Sequence, residues 1–359
     1  AAINERIALL KGLQSPFGLT VRYAIKANPH AEIIKMMSEA GIHFDASSSY
    51  EAANLLAQGI PGNYISLSSQ QSPHNLAELL DAGVNFVATS LKQLNAFLEC
   101  ANRPSKVAVR INPDVGHGHN NRTNTGGKNS SFGIWHEYID KVLELTTQAN
   151  VTIDRVHIHV GSGADPSVWG DVMDQSLVIV EKFPHATILD IGGGFKVHRY
   201  AEEKEADMEK IIATFNEKLT SFHEKTGRSI QLEIEPGTYF IAHAGTLVAQ
   251  VDDIVDTGTS GYTFLRLNTG MNDFLRTTLY GAQHKIEVMN NSEVTRDYIV
   301  VGHNCESGDI LTTVAGQPEE IAPRLLNEAQ IGDEVRIYDA GAYCASMRAI
   351  GYNSFPAAE

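Results

Sequence analysis

The sequence predicts an α/β fold: a (β/α)8 TIM-type barrel over residues 1–237, followed by a mostly β domain over 238–359. Three observations predict it. Eight short apolar runs of strand character alternate with longer segments of helical period, the pattern of a parallel sheet. Eight such units spread over about 250 residues are what one closed barrel needs. Beyond Gly237 the texture changes to β-branched, Gly-punctuated runs (TLVAQVDDIV, YTFLRL, DYIVVG, DEVRIYD) with little helical period.

The strand runs are Val21 to Ile25, Ile42 to Ala46, Tyr64 to Leu67, Asn85 to Ala88, Val107 to Ile111, Val156 to Val160, Ile188 to Ile191 and Leu232 to Ile234. Between them, AEIIKMMSEA, YEAANLLAQG, HNLAELLDAG, LKQLNAFLEC and MEKIIATFNEKLTSFHEK place apolar residues three and four apart, as an amphipathic helix does. A doubly wound sheet needs fewer strands and a Gly-rich turn after the first, which is absent here. The segment from Asp114 to Gly133 is rich in Gly, Asn, Ser and Thr, and loops of that length are often functional lids.

Composition narrows the partners. The 28 Lys and Arg against 43 Asp and Glu give a formal charge of -15, a field that repels nucleic acid and anionic membrane, so a small-molecule ligand is expected. No apolar run is long enough to span a bilayer, and the first residues lack a basic stretch followed by an apolar core. Cys100, Cys305 and Cys344 are far apart and lack the spacing of a redox or zinc site, which fits a reducing, cytoplasmic compartment.

In a barrel of this kind, polar side chains at the carboxyl ends of strands face the active site. Lys26 ends the first run and Asp45 the second. Arg110 lies at the end of the fifth, His159 near the end of the sixth, Gly192, Gly193 and Gly194 follow the seventh, and Glu235 follows the eighth. All converge on one mouth. A lysine there, with its amine deprotonated by its surroundings, can attack an aldehyde; the plainer reading is an ion pair with Asp45. Glu235 suits a partner for a pyridine nitrogen, or is an ordinary loop carboxylate. Three glycines expose backbone N–H groups to which a phosphate can bind, or they form a tight turn. Ser162 could add a hydroxyl, and His159 could stack on a flat ring or be a satisfied core histidine. A metal hydrolase using His117, His119, His157, His159 and Asp45 is the rival chemistry. No His-x-His pair stands on the first strand, where a lysine stands instead, so no metal is expected.

Together, YAIKANP, FDASS, HIHVGSG, DIGGGF, EIEPG, CESGD and DAGAY resemble, in order, the motifs of the alanine-racemase-like (fold-type III) decarboxylases that use pyridoxal 5'-phosphate. GHGHNNRTNTGGKNSSFGIW and GMNDFLRTTLYG are similar to the diaminopimelate-decarboxylating branch. The resemblance implies that Lys26 carries the cofactor, His159 stacks on its ring, and Glu235 pairs with the ring nitrogen. It further implies that Ser162, Gly192 to Gly194 and Tyr343 hold the phosphate, and that Asp45 and Arg110 form a supporting ion pair. It assigns Cys305 as proton donor and Glu306 as the partner of the distal ammonium, both entering the barrel of the other subunit of a homodimer. Arg276 and Tyr280 match residues that hold a distal carboxylate. The implied reaction is decarboxylation of meso-diaminopimelate to L-lysine. A decarboxylase of another basic amino acid or carboxypolyamine, and a cofactor-binding homologue without turnover, are the competing readings.

Two positions depart from the family pattern. Thr238 stands where EPGR would place an arginine, and Phe355 stands in YNSFP where relatives often have arginine. Threonine cannot replace a permanently charged bidentate donor, so either another cation compensates or the substrate differs.

Overall fold

The structure is a computed structural model that describes residues 1–116, 125–200, 203–356 and 358. Two compact units divide the chain: Ile3–Lys196 with Lys204–Phe240, and Ile241–Glu359 with Val197–Glu203.

All eight expected strands of the first unit form. They are β1 (Leu19–Ala24), β2 (His43–Ala46), β3 (Ile65–Ser68), β4 (Asn85–Ala88), β5 (Lys106–Asn112), β7 (Thr152–His157), β8 (Ile188–Asp190) and β9 (Gln231–Ile234). A two-residue strand that the sequence did not reveal, β6 (Ile134–Trp135), adds in parallel to β5. Every barrel pairing is parallel, running β4-β3-β2-β1-β9-β8-β7-β5, and β4 pairs with β5 to close the ring. Closure removes the edges of the eight-stranded ring.

Local chemistry sets the strand-to-helix turns. Ser48 ends β2's connection by accepting the Glu51 N–H at 3.1 Å, while the Glu51 carboxylate takes the Ser47 N–H at 2.6 Å, so a reciprocal cap starts the helix Ser49–Ala57. Ser90 and Gln93 repeat the device at the helix Leu91–Glu99, with Gln93 accepting from the Thr89 N–H. Asp165 caps the helix Pro166–Glu181, which has proline in its first turn. Gly227, at φ 73°, stops the helix Met208–Thr226 in the left-handed region that suits glycine.

The barrel interior is not wholly apolar. Arg22 on β1 makes a two-pronged contact with Glu233 on β9, at 3.1 and 2.9 Å. Arg155 on β7 pairs with the same Glu233 at 2.7 Å and with Asp190 on β8, and donates to the Ser66 hydroxyl on β3 at 2.9 Å. All four charged residues are buried. Two cations against two carboxylates leave this layer neutral, and that balance is what allows it to lie inside the ring.

The second unit is mostly β, as expected. Its main sheet runs β12 (Ile286–Val288), β17 (Glu334–Ile337), β10 (Leu247–Asp256), β11 (Thr263–Leu267), β13 (Thr295–Val301) and β16 (Arg324–Asn327). A separate hairpin joins β14 (Thr313–Val314) and β15 (Gln317–Ile321). β11 alternates buried with half-buried residues, so Leu265 and Leu267 meet Val300, Val335 and Ile337 on one covered face.

Because Asp190 and Glu233 both lean on Arg155, Arg155→Met strands two buried carboxylates against one remaining cation. We expect a loss of about 3–5 kcal/mol of stability, read by urea denaturation of the cofactor-free protein.

Candidate active site

The mouth of the barrel collects the residues the sequence singled out. Lys26 differs from expectation in one respect: β1 ends at Ala24, and the lysine stands on a single 3-10 turn, Ile25–Ala27, with 44% of its side chain exposed. Its Nζ donates to the Ser47 hydroxyl at 3.0 Å and lies 3.9 Å from Asp45 Oδ2. The amine is thus aimed across the mouth by the FDASS turn rather than sealed in the core. Asp45 is buried, accepts from Ser68 Oγ at 3.3 Å, and is pushed up by burial, an effect opposed by the Lys26 charge.

The expected ion pair between Asp45 and Arg110 does not form among the described residues; Lys26 is the cation beside Asp45. Arg110 is buried, packs its guanidinium 5.1 Å over the Phe132 ring, and leaves Nη2 without a hydrogen-bond partner. Burial lowers its pKa, against the pull of Glu235 and Asp45.

His159 lies two residues past the end of β7, whose final residue is His157. The Gly193 N–H donates to His159 Nδ1 at 3.2 Å, and Thr125 donates to the His159 carbonyl at 3.0 Å. An Nδ1 that accepts from a backbone amide belongs to a neutral ring, and burial together with the Arg110 and Lys26 charges holds the His159 pKa well below its ordinary value. His157 is likewise neutral, lowered to about 3 by burial and by the nearby Arg110, Arg155 and Lys26, with Asp190 opposing.

The three glycines are required by close approach. A Cβ at Gly192 would lie 2.2 Å from His159 Nδ1, one at Gly193 2.2 Å from the Glu235 carbonyl, and one at Gly194 1.9 Å from the Gly161 carbonyl. Gly192 and Gly194 also hold positive φ, 73° and 98°. The turn is therefore fixed by close packing, its Gly192 N–H donates to Asp190 Oδ1 at 2.9 Å, and Ser162, half-buried, stands in the loop beside it.

Glu235 is buried, with Oε1 unpartnered and Oε2 3.5 Å from His157 Nε2. Burial pushes its carboxyl well above the usual range, and Asp190 and Asp45 push it further. Asp190 goes the other way: despite its burial, Arg155 holds it well below the usual range. Of two adjacent buried carboxyls, Asp190 keeps the charge and Glu235 keeps the proton. Ligand atoms of His157, Asp190 and Glu235 lie within 4.8 Å of one another. With the Asp190 charge balanced by Arg155, the cluster holds one carboxylate, one carboxyl displaced toward its protonated form and one neutral imidazole. The metal set considered from sequence was different, and its His117 and His119 lie outside the described residues.

In the second unit, Cys305 is exposed and its N–H donates to Asn353 Oδ1 at 2.7 Å. Glu306 accepts from the Gly308 N–H at 3.2 Å and from the Tyr352 hydroxyl at 2.9 Å, bonds that lower its pKa. Arg276 and Tyr280 bound one short helix, Arg276–Tyr280. Arg276 Nε donates to His284 Nε2 at 3.3 Å, and His284 Nδ1 contacts the Tyr338 carbonyl at 2.8 Å. Tyr343 is held at φ 58°, an uncommon backbone for a bulky residue and of the kind that clusters at functional turns. Phe355 stacks on His303 at 3.7 Å with 9° between the planes, so it serves as a packing residue.

A neutral histidine, a tight glycine turn and a buried carboxyl with raised pKa and an unpartnered oxygen fit a flat nitrogen heterocycle bearing a phosphate. The described chain carries two matching family signatures. Residues 1–242 match the pyridoxal binding domain of the pyridoxal-dependent decarboxylases, and residues 161–341 match their C-terminal sheet domain. The chain belongs to this decarboxylase family. Its cofactor is pyridoxal phosphate, and it is an amino-acid decarboxylase. Diaminopimelate decarboxylase of Streptomyces coelicolor is 32% identical over 94% of this chain and 78% of its own length. A crystal structure of a diaminopimelate decarboxylase superposes with a TM-score of 0.89 at 30% identity, covering 99% of this chain and 85% of that one. The Helicobacter pylori diaminopimelate decarboxylase, solved with L-lysine, gives 0.84 at 26% identity over 100% and 89% of the two chains.

Sequence reasoning missed the layer beneath the site: Arg22, Arg155, Asp190 and Glu233. One signal was available. Arg155, His157 and His159 step by two, as do Glu233 and Glu235, so each set shares a strand face.

The neutral histidines set a pH dependence. A histidine whose folded pKa lies below its unfolded value of about 6.5 contributes stability present above that value and lost as pH falls toward the folded pKa. We expect the cofactor-free protein to lose stability from about pH 6.5 to 5, with His157→Asn shallower by about one proton, or about 1.4 kcal/mol per pH unit. Denaturation midpoints across that range, with wild type and variant side by side, measure the difference.

Proposed function

We propose that the substrate is meso-diaminopimelate, decarboxylated to L-lysine in a site shared between two subunits. The observation that carries the choice is Arg276. Its guanidinium is half-buried, its Nε is tied to a histidine rather than to a carboxylate, and no carboxylate among the described residues pairs with it. Burial and the neighbouring arginines keep that histidine, His284, well below its ordinary pKa and so neutral. A half-buried cation held by an uncharged partner is suited to an incoming carboxylate, and Tyr280 one helical turn away supplies a hydroxyl. Diaminopimelate has such a carboxylate at the end remote from the one that leaves. The named relatives support the same choice.

Within the barrel, Lys26 would carry the cofactor, His159 would lie against its ring, and Glu235 would meet its ring nitrogen. Gly192, Gly193, Gly194, Ser162 and Tyr343 would hold its phosphate. When bound, pyridoxal phosphate supplies an electron sink for the pair left at Cα as carbon dioxide departs. The chain's own groups do the rest. Glu235 stores a proton on its carboxyl and can yield it to a basic nitrogen opposite Oε1. His159, kept neutral, adds no charge to oppose that transfer. Asp45 and Ser47 aim the Lys26 amine. Cys305, assigned by resemblance, would return a proton to Cα from the partner subunit, and Glu306 beside it would take the distal ammonium. Thr238 favours one rival, a decarboxylase for another basic amino acid.

The deciding assay is carbon dioxide release by cofactor-loaded protein offered meso-diaminopimelate, L-lysine, L-ornithine and L-arginine separately. We expect release from diaminopimelate and at least a hundredfold less from the others. Release from another substrate alone transfers specificity to the rival; a cofactor visible band with no release leaves a binding protein. In Lys26→Ala we expect turnover to vanish, and borohydride treatment of loaded wild type to leave the cofactor's mass on the peptide containing Lys26.

The shared site has its own test. Lys26→Ala and Cys305→Ala are each expected to be inactive. Mixed after mild unfolding and refolding, they should recover up to about a quarter of wild-type activity, because half of random dimers carry one intact site in two. No recovery, with dimers confirmed by light scattering, would place both residues in the same subunit's site.

A further inference from the structure

The second unit contains an arginine that the reading so far leaves without a task. Arg199 is 8% exposed, and its Nε and Nη2 have no hydrogen-bond partner. Buried guanidinium nitrogens left unpaired are costly, and in native structures they ordinarily find an acceptor. Arg199 also stands within electrostatic reach of a second arginine, Arg276, and the two groups jointly bear on His284 and Cys344. Neither neighbour can neutralise them. His284 is a neutral ring, accepting from Arg276 and held by the Tyr338 carbonyl. Cys344 is buried, and burial pushes its thiol up to about 11, so it too is uncharged. Burial and the Arg276 charge lower Arg199 itself to about 9, still a cation at neutral pH. Among the described residues, the carboxylates that act on it are Glu203 and Asp339. Glu203 accepts the Arg199 backbone N–H at 2.9 Å, and Asp339 contacts His243 Nδ1 at 2.6 Å; neither makes an ion pair with the Arg199 side chain among the described residues.

Two neighbouring arginines, one with orphaned donors and no ion pair to the carboxylates in reach, are suited to receive an anion. We infer that Arg199 and Arg276 together form an oxyanion subsite, in which the Arg199 Nε and Nη2 donate to the same carboxylate or phosphate that Arg276 binds. This assigns to Arg199 the charge that Thr238 does not provide. The Nε and Nη2 edge of a guanidinium presents two parallel N–H bonds that match the two oxygens of a carboxylate. Resting on the reading of Arg276 given above, the favoured anion is the distal carboxylate of the substrate; the cofactor's phosphate offers the same chemistry.

Four titrations separate the sources, each on wild type, Arg199→Met and Arg199→Lys. Loaded protein is titrated with L-lysine and with 1,5-diaminopentane, which differs only in lacking the carboxylate, and binding is followed in the cofactor's visible band. Cofactor-free protein is titrated with pyridoxal phosphate and with pyridoxal, which lacks the phosphate. We expect Arg199→Met to weaken L-lysine about tenfold to a hundredfold and 1,5-diaminopentane less than about threefold. Arg199→Lys, which keeps the charge and loses the fork, should fall between. Selective weakening of pyridoxal phosphate over pyridoxal would keep the oxyanion subsite and name the phosphate as its occupant. Equal losses for L-lysine and 1,5-diaminopentane, or no change in any titration, would overturn it. If Arg199→Met does not fold, the same lysine-against-diamine difference in Arg199→Lys decides. None of these titrations needs turnover, so a wild type that fails to decarboxylate diaminopimelate removes the substrate reading while leaving the Arg199 assignment to its own result.

Discussion

Arg155 is the charge on which the barrel mouth depends. Buried between β3, β8 and β9, it binds Asp190, Glu233 and Ser66 at once. Its first effect is structural: three strands far apart in sequence are tied at one level of the ring. Its second is electrostatic. With Asp190 committed to negative charge, the adjacent Glu235 cannot ionise without placing two buried anions side by side, so the proton stays on Glu235. Beyond the effect of burial, the upward displacement of the Glu235 carboxyl is therefore set in part by Arg155, acting through Asp190 from a different strand.

Much of the fold was legible because parallel barrel strands are buried on both faces and read as short apolar runs, a signal independent of distant contacts. Asn85 to Ala88 is matched residue for residue, and the other strand boundaries shift by a few residues at most. β6 was not legible: two residues carry no periodicity, and only their pairing with β5 defines them. The end of β1 was misjudged for a related reason. Ile25 is fully buried and reads as strand, but the chain tightens into a 3-10 turn there, and burial alone does not distinguish the two.

What was legible of the site was the placement of single residues at or just beyond strand ends, as with Lys26, Asp45, His159 and Glu235. It was not legible where function depends on pairing across strands. Nothing local in VTIDRVH announces that Arg155 meets a carboxylate from β8 and another from β9, since those partners lie 35 and 78 positions away. The supposed Asp45 to Arg110 pair failed on the same ground: opposite charges at two strand ends suggest a bridge, and only the register assigns Asp45 to Lys26 instead. The glycine triplet shows the converse. Its sequence was ambiguous between turn and cradle, and the structure shows a tight turn, because His159, Glu235 and Gly161 crowd all three Cβ positions.

The departures at 238 and 355 are best understood as a redistribution of charge. A pocket for an anion requires a cation within reach; it does not require that cation to come from a particular position in the chain. Phe355 abandons charge for stacking on His303. Arg199, by contrast, is buried with two unpartnered donors beside Arg276, and burial and the repulsion of that charge lower its pKa. An oxyanion bound by both guanidinium groups would relieve that repulsion, and the relief would add to its affinity. The same logic runs through the barrel, where Glu235 is held protonated until a base is presented. In both units the resting structure is arranged against a charge that the ligand itself brings.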